Sequence, residues 1–162
     1  MNGTVRHEAA HAVVGWRSDL FEVQSITLTL DTHVRMVGGR KPWSLSMEDA
    51  VVHAVGPLAE DPAVYDDYGL PLTAWLFTDT HTVMAPCAQL GQRGERHGQE
   101  WWLRFVRDEA LERLRLYADD IDRVEVALGD RGALDHDDLV VILGAQTPRN
   151  TTDSATSREE RA

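Results

Sequence analysis

Apolar residues recur along this chain in two rhythms, and each rhythm predicts a different element. From Thr4 to Arg17, Ala10, Val13, Val14 and Trp16 follow helical spacing behind Thr4, whose hydroxyl suits an N-cap. A first, buried helix is expected there. The stretch Glu22 to Leu30 ("EVQSITLTL") switches to near-alternation through Val23, Ile26, Leu28 and Leu30, the pattern of a half-buried strand. Asp31-Thr32 reads as a turn, and Val34 and Met36 alternate again. Residues 22–38 should therefore form a hairpin or meander closed by Gly38-Gly39. Pro42 to Ser46 reads as a loop. A second helix is expected from about Ser46, with Glu48 and Asp49 in its first turn and Ala50, Val51, Ala54 and Val55 as its apolar stripe. Gly56-Pro57 should interrupt or kink it, because Pro57 has no N–H to return to the His53 carbonyl.

The second half is mostly helical in pattern. Leu72 to Gly91 is apolar at both ends, with the polar insertion "TDTHT" at 78–82. From Gln99 onward Leu103, Val106, Ala110, Leu114 and Tyr117 repeat at spacings of three and four. Trp101 and Trp102 open this helix and are expected in the core. "DIDRVEVAL" reads as a short helix, "GDRG" as a turn, and Asp135 as the cap of a last helix through Leu143. Residues 146–162 lack large apolar side chains and are expected to be a disordered tail. The pattern thus predicts one domain over residues 1–145, of α+β class and predominantly helical, with a small β-sheet or hairpin after the first helix.

Composition narrows the setting. With 162 residues, 43% of them hydrophobic, the chain can bury one real core. No apolar run approaches the roughly 18 residues that cross a bilayer, and no signal-peptide pattern precedes the first helix. The single cysteine, Cys87, has no partner for an internal disulfide, so a reducing cytoplasm is the expected compartment. Cys87 follows Pro86 with no basic neighbour and reads as buried rather than reactive. The formal net charge of −11 without a local basic patch argues against nucleic acid and anionic membrane as partners.

Candidate chemistry enters with His7-Glu8-Ala9-Ala10-His11, an HExxH motif on the first helix. Residues four apart on a helix share a face, so both imidazoles can ligate one metal ion while Glu8 reaches a water bound to it. Such a set carries out zinc-dependent amide hydrolysis, with the carboxylate as general base. The bland alternative is a pair of exposed helix histidines beside a surface glutamate. A catalytic zinc site needs a third protein ligand, and no histidine follows at the offset of the extended motif. Glu60, Asp61, Asp79, His81 and, more remotely, His53 are the candidates. Asp79 and His81 stand on a polar insertion inside an apolar segment, where a buried polar feature is expected. Glu60, if not a ligand, would orient a zinc-binding histidine.

"HEAAHAVV", the β pattern "VQSITLTL", "AVGPLAED" and "TDTHTVMA", in this order, resemble the peptidase domain of the FtsH-type zinc metalloproteases. That family carries HEAGHA(V/L)V, a similar strand, an A-G-x-x-A-E-E-like run and a later N-D-x-x-x-A-like stretch. The resemblance covers about residues 5–143 and is sharpest at 7–14. It implies a zincin-like metallopeptidase fold, Zn²⁺ held by His7 and His11, Glu8 as catalytic base, and Asp79 at the position of the third ligand. Ala10 replaces the family's usual glycine, and the stretch around Asp79 lacks the family's preceding Asn. The chain begins six residues before His7, so a stand-alone peptidase without the family's ATPase and membrane anchor is expected. Its substrates would be peptides or already unfolded segments. A zinc-stabilised binding module without turnover and a hydrolase of small amides or esters are the alternatives.

Overall fold

The first helix, α1 (Gly3–Arg17), carries apolar side chains around most of its girth, and such a helix is stable only inside a protein. In the computed structural model, which describes residues 3–18, 21–28, 33–38, 43–61, 87–88 and 98–146, it lies at the centre. Ala9, Ala10, Ala12, Val13, Val14 and Trp16 are all buried. Around it stand β1 (Phe21–Thr27), β2 (His33–Gly38), α2 (Trp43–Glu60), α3 (Gln99–Leu116), α4 (Ala118–Arg131), β3 (Ala133–Asp135) and α5 (His136–Leu143). The described chain is predominantly helical α+β: five helices and a three-stranded antiparallel sheet in the order β2-β1-β3. None of these helices is long and apolar enough to cross a membrane.

The expected hairpin is present, with a detail that explains its imperfect alternation. Val23 pairs with Met36 and Ser25 with Arg35, so Gln24 is an extra residue on β1. This bulge turns Val23 and Ile26, three apart, to the same buried side. Ile26 then faces Val34 on one neighbour and Leu134 on the other, a cross-strand apolar trio. β3 corrects the sequence reading, which ran from the "GDRG" turn to the Asp135 cap with no strand between. Only Leu134 of its three residues turns inward, too short a run to leave a period.

Further corrections concern boundaries and exposure. Helix α1 already includes Thr4, so Thr4 is not its cap. Trp43 to Ser46, expected as loop, form the first turn of α2. Pro57 does not interrupt α2, which runs on to Glu60. Proline inside a helix costs about 3 kcal/mol. Val51, Val52, Val55 and Leu58 are buried against their neighbours, and such side chains contribute roughly 1.5–3 kcal/mol each, so packing outweighs the lost hydrogen bond. Trp101, expected in the core, is 40% exposed and stacks on Phe105. His136 is half-buried, with Nδ1 3.0 Å from the Val23 carbonyl.

Charged pairs fasten α1 and α2 to the C-terminal helices. Arg6 reaches Asp122 at 2.9 Å and the buried Glu125 at 2.7 Å. Arg17 reaches Asp120 at 2.5 Å and the Leu143 carbonyl at 3.1 Å. Arg113 of α3 grips both oxygens of Glu48 on α2, a bidentate fork of the stronger kind. Asp135 caps α5 as expected, in a reciprocal box with Asp138. Gly132, at φ 74°, ends α4 in the left-handed conformation that glycine adopts without a Cβ penalty, and its carbonyl accepts from the Leu28 N–H at 2.8 Å.

Candidate metal centre

Among the described residues five polar side chains are buried, and three of them are His7, Glu8 and His11, at 8%, 7% and 5% exposure. The motif is therefore not a pair of exposed helix histidines. A buried polar group without partners costs about 1–3 kcal/mol, so the surroundings of each imidazole decide what it can do.

The surroundings come from α2. His11 Nδ1 lies 2.7 Å from the Val52 carbonyl, and a carbonyl only accepts, so Nδ1 carries the proton. In that tautomer Nε2 holds the lone pair. His7 Nδ1 lies 3.4 Å from Glu60 Oε2, again an acceptor, and its Nε2 is the nitrogen turned toward Gly56. The two rings meet edge to face with centroids 4.7 Å apart. Both Nε2 atoms converge on one point of α2. A Cβ built on Gly56 would stand 2.3 Å from His11 Nε2 and 2.6 Å from His7 Nε2. Any residue but glycine would occupy the space over which the two nitrogens meet.

Val52, Gly56 and Glu60 are spaced by four and so share one face of α2. That face runs along the histidines in the opposite direction to α1: Val52 serves His11, Gly56 both rings, Glu60 His7. Two convergent imidazole nitrogens, each with its other nitrogen held by an oxygen, suit zinc or another imidazole-binding divalent ion. The donor set present fits such an ion.

The other sequence candidates separate. Glu60 is turned to the far nitrogen of His7, the orienting role weighed for it in the sequence. His53 Nε2 faces Asp49 Oδ1 at 3.8 Å, and its ring packs on His11 with centroids 5.8 Å apart. Asp61 is exposed at the end of α2. Asp79 and His81 lie outside the described residues, and no group of three metal-ligating side chains is found among those described. Cys87 is fully buried, and burial pushes its thiol up to about 12, which removes it as a nucleophile.

Gly56 and the Val52 carbonyl were not foreseen as parts of the site. Read locally, a glycine before a proline marks a helix break, and a valine marks a core stripe. Their four-residue spacing to Glu60 was the available signal. Comparison with models of known protein families and with curated proteins finds no match.

Proposed function

We propose that this chain is a zinc-dependent hydrolase of the HExxH type, a metallopeptidase with a zincin-like fold resembling the FtsH-type peptidase domain. The observation that carries the reading is the convergence of the His7 and His11 Nε2 atoms over Gly56, with Glu8 buried beside them. In this reading His7 and His11 hold Zn²⁺ through Nε2, and Asp79 is the proposed third ligand. Zinc, when bound, supplies a Lewis acid that makes a water nucleophilic near neutral pH. Glu8 takes a proton from the attacking water onto its carboxylate and later passes it to the leaving amine nitrogen. Val52 and Glu60 fix the two rings so that neither has to be ordered when substrate arrives. The proposed substrates are peptides and unfolded segments. A structural zinc site has no use for a general base, and the buried Glu8 therefore favours turnover over a binding module.

The test is metal content and cleavage of a peptide library by wild type and Glu8→Gln. Wild type should hold about one zinc per chain. Glu8→Gln should keep the metal and lose roughly 10²–10⁴-fold in rate, the usual share of a positioned acid–base. A wild type without zinc, or a Glu8→Gln variant that cleaves equally well, refutes the proposal.

A further inference from the structure

One side chain in contact with the metal pair has no role in the chemistry above. His53, on α2 beside Val52, packs its ring against His11, with centroids 5.8 Å apart at 62°. Its side chain is 27% exposed, and its Nε2 lies 3.8 Å from Asp49 Oδ1, one turn earlier on the same helix. Asp49 attracts the N–H edge of the His53 ring and so favours one orientation of it.

We propose that His53 is a positioning residue for His11: its ring supports the imidazole whose Nδ1 the Val52 carbonyl holds. The Val52 carbonyl fixes Nδ1, and the tilt of the ring about that nitrogen is set by what packs against it. Among the described residues, His7, one turn away, and His53, on the facing helix, bring rings against it. A tilt of His11 moves Nε2 out of the convergence with His7, and a ligand pair out of register binds its ion less tightly.

The inference rests on the zinc reading for one of its two measurements, and the other needs no metal. The variants are His53→Ala, which removes the ring, and His53→Phe, which keeps a ring without the nitrogen. The metal-free measurement is exchange of the His11 Nδ1 proton with water, followed by imidazole NMR. The metal measurement is zinc affinity in competition with a chelator. The expected result is faster proton exchange and about tenfold weaker zinc binding in His53→Ala, at the low end of outer-shell effects, with both largely restored in His53→Phe. Wild-type exchange and affinity in His53→Ala overturn the proposal. So does a His53→Phe variant as impaired as the alanine, because ring packing would then not be the cause. If wild type binds no zinc, the hydrolase reading fails, while the exchange of the His11 proton still decides whether His53 holds the ring.

Discussion

The seam between α1 and α2 and the C-terminal pair α4–α5 are both helical, yet they are held by opposite means. In the seam, α1 brings two buried histidines and α2 answers with a carbonyl, a missing side chain and a carboxylate at four-residue intervals. Nothing there is decided by local propensity. The glycine and the proline that follows it are both poor helix residues, and the buried apolar side chains of α2 override them. In α4–α5 the ends are set by local signals: acidic residues in the first turn of α4, a left-handed glycine at its end, a capping box opening α5. The first region gives up helix propensity to seat two buried imidazoles, and the second uses it for stability.

One substitution made in both regions tests this contrast most strongly. Gly56→Ala places a Cβ 2.3–2.7 Å from atoms of His7 and His11, which no real contact tolerates, so at least one ring must move. Alanine gains about 1 kcal/mol of helix propensity, but overpacking costs about 1–3 kcal/mol. The expected outcome is a zinc affinity lower by about 100-fold, with the fold retained by circular dichroism. An unchanged affinity would separate the glycine from the site.

The next effect in size lies where the two regions are joined. Arg6 supplies the cation for Glu125, which is only 5% exposed. Arg6→Met leaves that carboxylate buried and uncompensated, and its own exposure discounts the loss to about 2–3 kcal/mol in denaturant unfolding. Adding Glu125→Leu should recover part of it. A double variant no more stable than the single one would show that the pair is not what joins α1 to α4.

This division also explains what could be read in advance. The burial of His7 and His11 on one face of α1 was legible because two side chains one turn apart leave a fixed sequence spacing. Gly56 was read, with Pro57, as an interruption or kink, since its value depends on what α1 places above it and not on its neighbours in sequence. Asp135 was legible as a cap from three residues of context, whereas β3 was not, since one inward side chain leaves no pattern. The Gln24 bulge likewise leaves only a missed beat between Val23 and Ile26.

The same glycine change in α4 should act with the opposite sign. Among the described residues, a Cβ on Gly129 meets only Val5 Cγ1, at 4.0 Å, which is ordinary contact. Gly129→Ala should therefore stabilise the protein by about 0.4–1 kcal/mol through the lower entropy of the unfolded chain. Measured beside Gly56→Ala, it separates helix propensity from site geometry. A Gly129→Ala variant that destabilises would mean that α4 is packed more tightly than its contacts indicate.

The smallest effect is an acid dependence at the far end of α1. Burial alone would raise the Asp120 carboxyl, but hydrogen bonds from Arg17 and Arg123 outweigh it and hold the group below the usual carboxylate range. A carboxyl depressed in the folded state stabilises the protein fully above its unfolded pKa of about 3.9. That contribution is lost as pH falls through the lower folded value, because the proton then binds both states. The slope of unfolding free energy against pH between about 5 and 2 should thus contain an Asp120 component that Arg17→Met reduces. Arg17 also donates to the Leu143 carbonyl, but that bond does not titrate, so its loss lowers the whole curve without changing its slope. A slope identical in wild type and Arg17→Met would assign the acid sensitivity to carboxylates elsewhere, and leave Arg17 as a tie between backbone and side chain alone.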